Sequence, residues 1–247
     1  PRILEVYAED PSQGVISSGL KEWNYSLDGG VNWQSDNLPW KPAEANTLTL
    51  PGDGIYTLTF KVWDNAGNQS TNYLQTTVKQ DSTAPVVDLN NVIYEQKTKD
   101  GKYEKAAINE LAFGKFYNNS LRVTIPVSDA LSGADSLSWQ SSDGKNGTVK
   151  ISDNKAILEW PVGLKGAITL SAKDKAGNSV SEDLGSWCLE GEAPKAGTLT
   201  SEEAISADGW YRSEVHFNIP VSDTGSGIAT VSVQLDKQEP VVTTYDA

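Results

Sequence analysis

Methionine is absent from this chain, cysteine occurs once, at Cys188, and histidine once, at His216. A single cysteine excludes an intrachain disulfide and a four-cysteine zinc site. Its neighbours Trp187 and Leu189 read as strand packing, so the thiol is expected to be buried and inert. A single histidine leaves no second imidazole for a metal centre. It alternates with Val215 and Phe217, which puts it on the outer face of a strand, and no serine with an oxyanion hole is suggested nearby. With no constellation that meets the requirements of an active site, the chain is expected not to be an enzyme. No run approaches the roughly 20 apolar residues that span a bilayer, so no membrane insertion is expected in this fragment. The lack of methionine means that residue 1 is not a translation start, and the chain reads as a piece of something longer. Basic residues are also scarce: 20 against 33 acidic ones, a net charge of −13. Such a surface repels phosphate, which excludes nucleic acid as a partner and favours divalent cations.

What is present is period-two alternation, the signature of half-buried strands in antiparallel sheets. Tyr56, Leu58, Phe60 and Val62 share one face, and Thr57, Thr59, Lys61 and Trp63 the other. Leu121, Val123, Ile125 and Val127 alternate in the same way, as do Ile168, Leu170 and Ala172, and Val215, Phe217, Ile219 and Val221. Pro126 and Pro220 fall inside two of these segments. Proline donates no ladder hydrogen bond, so each must occupy an edge, a bulge or an unpaired position.

Short phrases recur. Asp64–Asn68 reads DNAGN, and DKAGN follows about 110 residues later at Asp174–Asn178, the size of one seven-stranded sandwich. IPVSDALSG from Ile125 returns as IPVSDTGSG from Ile219, and Ala-Pro dipeptides stand at Pro85 and Pro194. Each unit therefore has one order: an Ala-Pro linker, a strand ending in Asp, an SG loop, further strands, and a strand ending in Asp that enters the AGN turn. That turn is explained by local chemistry. Its glycine supplies the positive φ of a bulged hairpin, and its aspartate accepts backbone N–H bonds a few residues on. Asp53, Gly54 and Tyr56 precede the first deep core position in the manner of a tyrosine corner, whereas the second unit has Gly166 where Tyr56 would align.

SGLKEWNYSLDGGVNW, GDGIYTLTFKVWDNAGN and DSTAPVVDL together resemble the bacterial immunoglobulin-like tandem repeats of large extracellular and cell-surface, adhesin-type proteins. The resemblance implies all-β, tandem immunoglobulin-like β-sandwiches, two plus a truncated third. Residues 1–80 would form a sandwich lacking its first strand, 82–190 a complete one, and 191–247 the N-terminal half of another. It implies a structural or spacer segment of a bacterial surface or secreted protein, placed outside the cell, with adhesion through its own surface as the next role. Its partners would be neighbouring modules of the same polypeptide and a host or cell-wall glycan or protein receptor.

Two sites are expected. In such a sandwich the SG loop, the AGN hairpin and the incoming linker lie at one end. This gathers Asp81, Asp129, Asp174 and Asn178, an oxygen-only set suited to Ca²⁺, although each aspartate also has a purely local reading as the cap of its own turn. Separately, Trp33, Trp40 and Trp63 form a candidate carbohydrate-binding surface. It is the basis of an alternative in which the chain is an accessory sugar-binding module of a secreted carbohydrate-active enzyme.

Overall fold

The alternating segments form strands, and the chain is all-β, with several sheets arranged as in β-sandwiches. The structure is a computed structural model that describes residues 2–10, 16–71, 75–111, 114–203 and 205–245. The chain divides into two units. The first takes in residues 1–85 with 129–134 and 173–179, and the second 86–128, 135–172 and 180–247.

The first unit contains β1 (Ile3–Val6), β2 (Leu20–Ser26), β3 (Leu38–Pro39), β4 (Asn46–Thr49), β5 (Gly54–Asp64) and β6 (Gln75–Gln80). β1 pairs with β4, and the second sheet runs β3-β2-β5-β6. Trp23, Leu48, Leu50 and Leu58 are its buried centre, and Leu4, Val6, Tyr56 and Phe60 pack against it. The expected inner face of β5 is thus the core face. The outer face is drier than alternation implies, since Thr59 is buried. Residues 27–34 fold back across it: Gly29 N donates to Thr57 O, and Lys61 Nζ lies 3.7 Å over the Trp33 ring. The tyrosine corner is present, with Tyr56 Oη donating to Gly52 O at 2.9 Å.

The second unit opens with β7 (Val86–Val87), a 3-10 turn (Leu89–Asn91), β8 (Ile93–Lys97), β9 (Tyr103–Lys105), β10 (Asn109–Leu111) and β11 (Gly114–Tyr117). There follow β12 (Leu121–Ser128), β13 (Ala134–Ser141), β14 (Asn146–Lys150), β15 (Lys155–Trp160), β16 (Lys165–Asp174) and β17 (Ser179–Leu189). The pairing scheme of the first unit recurs. β12–β15 repeats β1–β4, and β14-β13-β16-β17 repeats β3-β2-β5-β6. Leu121, Val123, Ile125 and Val127 of β12 are buried together with Leu158, Trp160, Ile168, Leu170, Trp187 and Leu189.

Pro126 lies inside the central strand, at the point where its partner changes. β8 pairs with Arg122–Thr124, β7 pairs with Val127–Ser128, and the Pro126 carbonyl accepts from Asp88 N between them. The missing N–H therefore costs no ladder bond on that side. The corner at Gly166 is held by a neighbouring loop instead of a tyrosine. Ala167 N donates to Ser142 Oγ, Ser142 N to Ala167 O, and Lys165 N to Asp143 Oδ2.

The remaining strands are short: β18 (Lys195–Ala196), β19 (Thr200–Ser201), β20 (Phe217–Asn218), β21 (Val221–Ser222), β22 (Thr230–Val233) and β23 (Val241–Thr244). The segment from Val215 to Val221 is not the continuous strand that its alternation predicts. It breaks at Ile219–Pro220, and Phe217 is 56 % exposed. Proline cannot bridge the ladder, and Phe217 has the edge of the Tyr211 ring against it, at 6.2 Å between centroids, while most of its surface stays exposed. The start of this region nonetheless repeats an earlier register. Lys195 faces Ser222 as Val86 faces Ser128, and Gly197 N donates to Pro220 O as Asp88 N does to Pro126 O.

Both AGN turns close hairpins, one between β5 and β6 and one between β16 and β17, with Gly67 at φ 91° and Gly177 at φ 99°. The left-handed region is steeply unfavourable for a β-branched residue. Gly67→Val should therefore destabilise by about 1–3 kcal/mol, measured as a lower urea midpoint with unchanged slope.

Candidate functional site

The AGN hairpin is built from its first residue. Asp174 is 2 % exposed, and its Oδ1 accepts Gly177 N at 2.7 Å and Asn178 N at 2.8 Å. Its Oδ2 accepts Asn178 Nδ2 at 2.8 Å. In the SG loop, Asp129 Oδ1 accepts Leu131 N, Ser132 Oγ and, at 2.7 Å, Gly133 N. A backbone bond clasps the two tips, Lys175 N to Gly133 O at 3.0 Å. The linker enters through Asp81, whose Oδ1 accepts Thr83 N and whose Oδ2 accepts Ser132 N at 3.0 Å.

The result is that one carboxylate oxygen from each of Asp81, Asp129 and Asp174 lies within 4.8 Å of the other two. Each aspartate caps its own turn, and the three also converge. Hydrogen bonds from the Ser132 side chain lead in holding the Asp81 carboxyl below its ordinary range. Asn178 has a different task. Its amide nitrogen is 3.1 Å from Asp81 O and 3.2 Å from Thr83 O, so it grips the linker main chain rather than offering an oxygen to the cluster.

The donor set suits a hard cation. It is all oxygen and carries three formal negative charges, and Asp129 Oδ2 accepts no hydrogen bond among the described residues. Ca²⁺ takes six to eight oxygens in flexible geometry, so carboxylates that already accept N–H bonds can still contribute a lone pair. Linker anchoring extends to Asp53, which sequence reasoning had assigned only to the tyrosine corner. Its Oδ1 accepts Ser82 N and Ser82 Oγ, and its Oδ2 accepts Thr83 Oγ1 at 2.8 Å. Those bonds hold its carboxyl low as well, the Ser82 hydroxyl contributing most.

The arrangement has counterparts. At the first tip, Gly19 N donates to Asp10 Oδ2 at 2.9 Å, Asn68 N to Asp64 Oδ1 at 2.7 Å, and Asn65 N to Gly19 O at 2.9 Å. In the second unit, Gly225 N and Gly227 N donate to Asp223 Oδ1, and Glu190 occupies the place of the linker acid. Its Oε2 accepts Ser226 N at 3.0 Å and its Oε1 accepts Ser226 Oγ at 2.6 Å. Sequence reasoning missed Glu190. Its position just before the Gly-Glu-Ala-Pro linker was the available signal.

The three tryptophans have separate surroundings. Trp40 packs against the first unit's core, and Trp63 sits opposite Glu22 in the β2–β5 ladder. Trp33 lies beneath Lys61 and beside Gly30, where an added Cβ would be 3.5 Å from the ring. With Tyr25, Asp28 and Tyr56 it lines an open cavity of about 710 Å³. Cys188 is buried, and burial pushes its thiol upward. His216 is exposed and pairs with Glu203 at 3.0 Å. Among the described residues no helix is long and apolar enough to cross a membrane.

Asp28 governs the loop beneath Trp33. Its Oδ1 accepts Asn32 N, Val31 N and Ser26 Oγ, and these bonds, the Asn32 amide first, bring its pKa down to about 2. A depressed carboxylate stabilises the loop above the ordinary value of about 3.9, and the stabilisation is lost as pH falls through the folded value. The Asn32 amide resonance should titrate with a midpoint near 2 rather than near 4.

No family model and no curated protein matches the chain. Among solved structures it is similar to the crystal structure of a tetra-tandem repeat in the extending region of a large adhesion protein, at 14% identity and a TM-score of 0.31. The match covers 84% of this chain and 56% of that one, so the chain spans little more than half the length of the protein it matches.

Proposed function

We propose that the chain is a run of immunoglobulin-like sandwiches, residues 1–80, 82–190 and the opening half at 191–247, acting as a structural spacer of a bacterial surface or secreted protein. The observation that carries this reading is that the parts of one device recur: an Asp-capped SG loop clasped to an Asp-capped AGN hairpin at Asp10 with Asp64 and at Asp129 with Asp174, and a linker acid on the loop serine at Asp81 with Ser132 and at Glu190 with Ser226. A module copied with its own connector is suited to spanning distance. Adhesion through its own surface is the next role.

In this reading Asp81, Asp129 and Asp174 hold Ca²⁺. The ion would offset the repulsion among three carboxylates and tie the linker to the tips. Extracellular modules bind Ca²⁺ with Kd near 10⁻⁴–10⁻³ M, so millimolar ion should add about 1 kcal/mol, or several degrees of Tm. Calorimetry with millimolar Ca²⁺ and then with chelator tests this, and an unchanged melt removes the ion from the account. A glycan array tests the spacer role itself. Bound glycan that is lost on Trp33→Ala would replace the spacer with a sugar-binding module.

A further inference from the structure

The sandwich of the second unit is entered and left at opposite ends. Val86, where the chain enters that unit, faces Ser128, the last residue of β12. Leu189, where β17 ends, accepts Gly163 N at 2.6 Å and donates its own N–H to Leu164 O at 2.8 Å. Those residues follow Trp160, which faces Leu121, the first residue of β12. A pull on the two flanking segments therefore runs along the strands, and the pairings that meet it are sheared.

Two pairings stand in its path. The first holds β7 and β8 to β12, and its ladder is broken. Val86 and Val87 make two rungs, the 3-10 turn at Leu89–Asn91 interrupts, and Ile93, Tyr94 and Glu95 make three more. Between them Asp88 N donates to Pro126 O. Val86 and Ile93 are 63 % and 50 % exposed, so they give up little burial when the segment lifts. What resists is Tyr94, with its ring centroid 4.8 Å from that of Trp187, and the bond from Tyr117 Oη to Gln96. Among the described residues β9 pairs with β8 alone, so it leaves with β8.

The second pairing is β11 on β17, and it is parallel. Lys115, Phe116 and Tyr117 face Trp187, Cys188 and Leu189, and Glu190 N adds a bond to Tyr117 O at 3.0 Å. Tension reaches β11 at its first residue and β17 at its last. The evenly spaced bonds of a parallel pair then share the force, and none opens before the others. Phe116 and Tyr117 are both buried, which β7 cannot match. The two backbones also approach closely: a Cβ on Gly114, at the start of β11, would stand 2.7 Å from Ser186 O.

We propose that the segment from Val86 to Gly114 is stored length. Under tension β7, β8 and β9 leave β12 first, and β11 on β17 keeps the rest of the sandwich closed until a higher force is reached. The release frees roughly 28 residues, about 95 Å of contour. The folded sandwich measures only about 25 Å along the eight residues of β12. The module thus lengthens by more than its own folded span before its main body opens. The purpose of this device rests on the spacer reading; its geometry does not.

The test is single-molecule force extension of the full chain, held by tags at its two ends, because forced unfolding reads the barrier of each step. The second unit should give a short event of about 95 Å at lower force and a long one of about 260 Å, for the roughly 76 residues from Gly114 to Glu190, at higher force. Gly114→Ala should lower the force of the long event and leave the short one unchanged. Ile93→Cys with Thr124→Cys, which face each other across the β8–β12 ladder, should abolish the short event when oxidised and restore it on reduction. This staple identifies the event and decides the matter if Gly114→Ala does not fold. A single event of about 350 Å, a short event that survives the oxidised staple, or a long event that Gly114→Ala leaves unmoved overturns the proposal. None of these results touches the spacer reading, which the glycan array judges separately.

Discussion

Trp160→Ala should lower the stability of the second unit by about 3–5 kcal/mol, the range for truncating a buried aromatic. Trp160 is fully buried. Its ring centroid is 5.2 Å from that of Trp187, nearly edge-on at 72°, and 5.9 Å from that of Trp139. These three rings join the β15 edge to the β13–β16–β17 sheet, and in a close-packed interior the void left by alanine is only partly filled by relaxation. Domains are typically stable by only 5–15 kcal/mol, so the loss is a large share of the total. Calorimetry should show that unit's transition falling by roughly 12 °C or more. Trp160→Phe separates packing from polarity. The indole N–H has no hydrogen-bond partner among the described residues, so deleting it removes an unmet donor while keeping most of the volume. A loss of about 1.5 kcal/mol or less is expected for Phe. Equal losses for Phe and Ala would mean that the core tolerates no rearrangement and that ring shape, not filled volume, sets the cost.

The parts of this architecture legible in the sequence are those that local chemistry specifies. The AGN hairpins could be read because a glycine at positive φ and an aspartate that accepts amide hydrogens need nothing beyond five residues. The convergence of Asp81, Asp129 and Asp174 could be read because chain order in a sandwich brings a loop, a hairpin and a linker to one end. What could not be read depends on distant partners. Alternation placed Thr59 on a wet face, but whether residues 27–34 would fold over it depends on Asp28, whose bonds to Val31 and Asn32 turn the loop back. Alternation also made Val215–Val221 one strand, just as it did Leu121–Val127. The apolar face of the second is fully buried, and that strand pairs along its length with β15, whereas Phe217 of the first stays 56 % exposed, and there a proline in the middle suffices to split the strand. Glu190 was missed because Glu and Asp differ by a methylene. Its side chain reaches Ser226 as that of Asp81 reaches Ser132, from a position that a motif search for Asp would pass over.

Asp174→Ala should cost about 2–4 kcal/mol, far more than the same change at Asp64, although the two turns have nearly the same sequence. Asp174 is 2 % exposed and accepts three hydrogen bonds, and Asn178, which it orients, also grips the carbonyls of Asp81 and Thr83. Removing the carboxylate frees Asn178 to rotate and releases the linker along with the hairpin. Asp64 makes two of the same bonds, to Asn68 N and Nδ2, but Asn68 holds no linker among the described residues, and water can replace what is lost. An opposing effect acts only at Asp174. With three carboxylates inside 4.8 Å, deleting one relieves repulsion in chelator, whereas in millimolar Ca²⁺ the same deletion removes a ligand. The urea midpoint of Asp174→Ala should therefore fall by about 1–2 M in Ca²⁺ and by visibly less in chelator, while Asp64→Ala shows one small shift in both. A loss at Asp174 that is identical with and without the ion would make the aspartate a cap and nothing more. The recurring tip would then be held by hydrogen bonds alone.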